Sequence, residues 1–151
     1  MSYTDVISLS EAKNYLRIDD DFTEDDNDLK LMISSALEYI ENFTSHLVYD
    51  RDKTYYRSAE QKRITVYDYP INSDLSDFKV LHFSLRHEFD SDSVTLNVGY
   101  DNPKDVPKAI INAALQIIDN WYYNHEKEPQ QSIIPEGAKE ILWSYKRGIV
   151  G

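Results

Sequence analysis

Residues 105–126, "DVPKAIINAALQIIDNWYYNHE", are apolar around most of a helical circumference. A chain that carries such a segment has to cover it on more than one side. Ile110, Ala114, Ile117 and Trp121 fall on one stripe, and Ile111, Leu115, Ile118 and Tyr122 on a second beside it. The polar stripe is only Asn112, Gln116, Asp119 and Asn120. The spacing predicts a helix over about 106–126, with Asp105 or a neighbour as its cap and Pro107 in the first turn, where a missing N–H does no harm.

Further helices are expected to pack around it. Ser8-Leu9-Ser10-Glu11 has capping-box spacing and opens a helix over about 8–17 that buries Leu9, Ala12 and Leu16. Leu29, Met32, Ile33, Ala36, Ile40 and Phe43 recur at i, i+3 and i+4 and predict a helix over about 26–46. At 1.5 Å per residue it runs for roughly 30 Å, the width of a small domain. A last helix over about 136–146 buries Ala138, Ile141, Leu142 and Tyr145.

Between Tyr49 and Tyr100 the period changes to two. "DKTYYR", "RITVYDY", "FKVLHFSL" and "SVTLNVGY" alternate apolar and polar residues and are separated by turn formers. One small antiparallel sheet of hairpins is expected over about 50–100, with exposed acidic loops. The order of two helices, a β insertion and two helices makes the fold α+β, mainly α, and 151 residues at 41% hydrophobic suffice for one domain spanning 1–151.

Charge narrows the function classes. Lys plus Arg number 16 against 27 Asp plus Glu, a net charge of −11, which opposes approach to a phosphate backbone. The basic pairs Lys62-Arg63 and Lys146-Arg147 are too short to form a nucleic-acid stripe. Seven carboxylates crowd Asp19, Asp20, Asp21, Glu24, Asp25, Asp26 and Asp28, ahead of a helix whose positive dipole end suits them. Read as a calcium loop from Asp19, this run puts Glu24 where glycine is needed and Lys30 where the bidentate Glu is needed.

No catalytic or cofactor motif emerges. The four glycines have no phosphate-loop spacing, there is no cysteine, and His46, His82, His87 and His125 are not spaced as zinc ligands. A cysteine-free chain without a signal-peptide pattern or a run long enough to span a bilayer is expected in a reducing, cytoplasmic setting, with no membrane partner. Trp121 and Tyr122 continue the apolar stripes and read as core, whereas Tyr123 and Trp143 fall off the main faces of their helices and read equally as interface.

In chain order, "ISLSEAKNYLRIDDDFTEDDNDLKLMISSALEYIENFTS", "LNVGYDN", "DVPKAIINAALQIIDNWYYNHE" and "IIPEGAKEILWSYKRG" resemble the head-tail connector (head-completion, or adaptor) family of tailed double-stranded DNA phages and prophages. The likeness covers nearly the whole chain and rests on order and spacing, since each short pattern is weak alone. One departure is local: the family's strand before the third helix usually carries a glycine after its tyrosine, whereas here Gly99 precedes Tyr100 and "DN" follows.

The resemblance implies a helical bundle with a β insertion, no catalysis and no cofactor. It implies a homo-oligomeric ring of about twelve copies beneath the portal protein, a geometry that closed cyclic symmetry permits, with a monomer in solution compatible. The other implied partners are a downstream connector, stopper or tail-completion protein, and double-stranded DNA that passes without specific binding. The implied place is the head-tail interface of the virion, and the host cytoplasm during assembly. Tyr123, Trp143, Tyr145, Lys146, Arg147, Ile149 and Val150 are the expected subunit or portal interface, because an apolar tail after a helix suits docking. Asp19, Asp20, Asp21, Glu24, Asp25 and Asp26 are the expected channel-facing loop, because an acidic wall does not hold phosphates.

Two rivals come from other classes. An acidic phage-encoded DNA mimic that inhibits a host protein fits the charge, but acids clustered in one loop and the packed "WYYNHE" helix speak against it. A hydrolase with paired carboxylates needs a pair that does not suggest itself.

Overall fold

The computed structural model describes residues 1–124 and 134–148. The expectations at His125, Glu126, Ile149 and Val150 lie outside the described residues. The helices are α1 (Tyr3–Val6), α2 (Leu9–Leu16), α3 (Asp26–Thr44), α4 (Lys108–Asn124) and α5 (Glu136–Tyr145). The strands are β1 (Arg51–Tyr56), β2 (Ile64–Val66), β3 (Val80–His82), β4 (His87–Phe89) and β5 (Ser93–Val98).

Capping sets the helix starts. The Glu11 N–H donates to Ser8 Oγ at 3.1 Å and the Ser8 N–H donates to the Glu11 carboxylate at 2.7 Å, closing the reciprocal pair that opens α2. The one-turn α1 was not expected from the sequence; the Ser2 N–H, donating to the Asp5 carboxylate at 2.6 Å, holds it. Asp105 does not cap α4. It lies in a 3-10 turn, Pro103–Asp105, whose own cap is Asn102, and Pro107 stands just before Lys108 with its carbonyl accepting from Ile110. The helix predicted to reach His46 stops at Thr44, because Ser45 turns left-handed at φ 61° and His46 leaves the helix to bridge Tyr69.

α4 packs against both α3 and α5. Its first stripe is core through Ile110, Ala114 and Ile117, joined by Ala113 and Ile118, while Ile111, Leu115, Trp121 and Tyr122 are half-buried. α3 contributes Leu29, Ile33, Ala36, Leu37 and Ile40, with Met32 and Phe43 at the margin. On α5, Ala138 and Leu142 are buried and Ile141 and Tyr145 half-buried.

The insertion departs from the single sheet of hairpins. β1 pairs antiparallel with β5, Arg51 opposite Val98 and Tyr56 opposite Ser93, so the first and last strands close around everything between them. The other strands form a separate sheet in the order β2-β4-β3, in which only β3 and β4 are a sequence-adjacent hairpin. The burial of β5 alternates along its length, and Val94, Leu96 and Val98 meet Leu47, Ile64, Val66 and Phe89 in a second, smaller core. Gly99 ends β5 at φ 106°, and a Cβ there would collide with the Tyr49 carbonyl. This close approach accounts for the glycine standing before Tyr100.

Candidate interaction surfaces at the two ends of the bundle

Two buried charges organise the joints of the fold, and neither was apparent from the sequence. Lys13, 3% exposed, donates to the carbonyls of Asp20 at 3.1 Å and Phe22 at 2.6 Å and pairs with Asp26 at 2.6 Å. It therefore pins the acidic loop to α2. Glu41, 6% exposed, accepts from Tyr3 Oη at 2.9 Å, the Val48 N–H at 2.8 Å and Arg51 at 2.5 Å. It joins α1, α3 and β1 at one carboxylate, as a buried charge must be multiply partnered. Its negative charge and the accepted hydrogen bond raise the Arg51 pKa, although burial works against them, while burial and the Glu41 bond raise that of Tyr3.

Lys13 splits the acidic run in two. Asp26 faces Lys13, Asp20 accepts from Ser10 Oγ at 3.2 Å, and Asp25 accepts from Tyr122 Oη at 2.6 Å, a bond that pushes the Tyr122 pKa up to about 12. Asp19, Asp21 and Glu24 remain exposed and have no cation partner among the described residues. Among the described residues no group of three or more His, Asp or Glu could hold a metal ion. This end of the fold also exposes apolar groups: Phe22 at 39% within the acidic run, Leu31 at 67% in the second turn of α3 and Tyr123 at 57% near the end of α4. Tyr123 Oη donates to the Leu16 carbonyl at 2.5 Å, which anchors the ring in place at the surface.

The opposite end of α3 is aromatic and cationic. Phe43 stacks on Tyr39 with ring centroids 6.1 Å apart and meets Trp143 edge-on at 5.3 Å. Lys146 Nζ lies 4.2 Å from the Phe43 centroid and 4.7 Å from that of Trp143, a double cation–π contact. Trp143 is 57% exposed. Arg147 binds inward: its N–H donates to the Thr44 carbonyl at 3.1 Å, Nε to Tyr67 O at 3.2 Å and Nη2 to Ser84 O at 3.4 Å, while the guanidinium covers the Tyr69 ring. Both cations sit at the negative dipole end of α3. Neither has a carboxylate partner among the described residues.

Tyr145 also faces inward, edge-on to His46 at 5.5 Å. His46 is buried with Nδ1 3.0 Å from Tyr100 Oη, and burial together with Arg147 lowers its pKa to about 4 against a hydrogen bond to the Tyr145 backbone. Thus Trp143 and Lys146 present outward surface, whereas Tyr145 and Arg147 fasten the C-terminal segment to the chain. Through Ser84 that segment reaches the β3–β4 hairpin, which exposes Leu81 on β3 and Phe83 and Leu85 in the turn, with Arg86 stacked on Phe83 at 4.3 Å. The sequence held a signal for this patch. "FKVLHFSL" has apolar residues at both parities, more than a strand with one buried face can hide.

Two clefts among the described residues do not resemble ligand sites. The cleft of about 330 Å³ between α3 and β1 holds Glu41, Arg51, Lys53 and Asp68, already paired as Glu41–Arg51 and Lys53–Asp68. A second, of about 620 Å³, is an open groove beside Val6, Val106 and Ile111. No helix among the described residues is long and apolar enough to cross a membrane.

Residues 6–149 match the profile of the phage gp6-like head-tail connector proteins. The chain belongs to that family. Connectors of this family are structural components of the virion, and the α+β, mainly helical architecture agrees with that membership. In three dimensions the connector is similar to a chain in the neck of an empty gene transfer agent (GTA) particle computed with C6 symmetry. That likeness has a TM-score of 0.72 at 12% identity, over 96% of this chain and 91% of the other. It is similar also to a chain in the virion of a native GTA particle, with a TM-score of 0.76 at 12% identity, over 99% and 94% of the two chains. At that identity these likenesses concern the fold alone. No curated protein matches the connector's sequence.

Proposed function

We propose that this connector forms a homo-oligomeric ring under the portal protein, completes the DNA-filled head and joins it to a downstream stopper or tail-completion protein. The family match over residues 6–149 carries this reading. The exposed apolar groups toward the two ends of α3, Leu31 at one and Trp143 at the other, support it, since a neighbouring chain can cover them. On this reading assembly takes place in the host cytoplasm and the protein ends in the virion. Its work is mechanical, with no reacting group. A net charge of −11 suits a ring through which DNA slides, because a basic wall would grip phosphates and act as a brake.

Native mass spectrometry and electron microscopy of this protein mixed with the portal from the same phage genome test the proposal. A ring seated on the portal is the expected result. An intact portal left bare overturns it and shifts weight to the acidic inhibitor class, which a host-protein pull-down then addresses.

A further inference from the structure

The two ends of α3 are complementary in both charge and polarity, and they cannot meet within one chain. α3 has 19 residues, so its ends lie roughly 28 Å apart at 1.5 Å per residue. At the N-terminal end, Phe22, Leu31 and Tyr123 are exposed, and Asp19, Asp21 and Glu24 have no cation partner among the described residues. At the C-terminal end, Trp143 stands beside Phe43 with Lys146 over both rings, and Arg147 reaches the Ser84 carbonyl in the β3–β4 turn. One end is apolar with an acidic rim, the other apolar with a cationic one.

We infer that the occupant of the Trp143–Lys146 surface is the acidic end of a second copy of this chain, the loop around Phe22, in a head-to-tail contact. This deepens the ring reading above and rests on it for the choice of a second copy as partner. Two observations and a symmetry rule favour that partner. Lys146 has no carboxylate partner among the described residues of its own chain. Seven of the 27 acidic residues crowd Asp19 to Asp28 at the far end of the same helix, and unlike surfaces on opposite ends generate a heterologous contact, which closes into a ring when its rotation permits.

The contact also gives Lys13 a purpose beyond stability. By holding the Asp20 and Phe22 carbonyls it presents the loop in one conformation, so that little ordering cost remains to be met on docking. On this inference Asp19, Asp21 and Glu24 belong to the subunit boundary and not to the bare channel wall.

The absence of native cysteine makes a clean test possible. Phe22→Cys and Trp143→Cys are introduced singly and together, and the full chain is oxidised at high concentration, alone and on the portal. The double variant is expected to give a covalent ladder of dimers, trimers and larger species. The two singles mixed should stop at dimers, and each single alone should stay monomeric. A ladder no stronger than the singles produce, in both settings, overturns the inference, as does efficient dimerisation of either single variant, which would mean a two-fold contact.

A charge exchange gives the second readout. Lys146→Glu, and separately Asp21→Lys with Glu24→Lys, should each weaken self-association about tenfold in the manner of rim charges, and combining them in one chain should restore it. No recovery in the combined variant also counts against the contact. A ladder without portal binding retains this interface and sinks the connector role; portal binding without a ladder does the reverse.

Discussion

The helical bundle and the β insertion bury their apolar residues in different ways. Among the described residues the bundle core holds 18 buried apolar side chains, drawn from all five helices and from Ile7, Val48 and Val106 beside them, whereas the insertion core holds seven. The insertion leaves Leu81, Phe83 and Leu85 in solvent. A helix supplies its own backbone hydrogen bonds and needs only one covered stripe. A three-residue strand such as β2, β3 or β4 depends on its neighbours for both hydrogen bonds and cover. The bundle is therefore the stable frame, and the insertion is the part whose strands lean most on their neighbours.

The largest effect is expected from cutting the frame. Ile117→Ala, at a fully buried position of α4, should cost about 4 kcal/mol in chemical denaturation, by lost transfer energy plus a cavity. Gly99→Ala tests the joint between frame and insertion. With φ at 106° and the Tyr49 carbonyl in the way, it should cost about 3 kcal/mol, and a well-folded variant would mean that the joint relaxes easily.

His46 reads the same joint through pH. Its folded pKa of about 4 lies below the ordinary value of 6.5, so the fold favours the neutral ring. The stability this confers is complete above pH 6.5 and is lost as pH falls toward 4, an effect on the order of 2 kcal/mol. Denaturant midpoints across that window and an NMR titration of the imidazole check it; a ring that titrates near 6.5 would mean the joint is open. Amide hydrogen exchange should show β2, β3 and β4 opening at lower free energy than α3 and α4. Smallest of all, Phe83→Ser should change monomer stability by less than about 0.5 kcal/mol, because the ring is exposed and its loss matters only when a partner covers it.

The same contrast governs what could be read in advance. Starting from Ser8 and Glu11, the α2 capping box is a local device and lies where its spacing places it. The α3 and α4 stripes are local too, and their buried members are those the periodicity picks out, with Leu37 and Ala113 added. The sheet was legible only as strands. Which strand pairs with which is a long-range choice, and β1 with β5 is not the choice adjacency favours. Of the candidate surface residues, Trp143 and Tyr123 face outward, while Tyr145 and Arg147 are occupied within the chain by His46, Tyr69 and Ser84, partners far away in sequence.

By itself the sequence determined the four longer helices, the α+β order, the absence of a phosphate-loop or thiol motif and the likeness to connectors, because periodicity, capping and motif spacing act over a few residues and survive in one dimension. Only the tertiary structure decided that Lys13 and Glu41 are buried, that the acidic run divides into tethered and exposed members, and that acid and cation gather at opposite ends of α3. Those outcomes depend on which distant groups meet. A buried charge is tolerated only where carbonyls, hydroxyls and counter-charges from several elements converge on it, and that convergence exists only once the chain has folded.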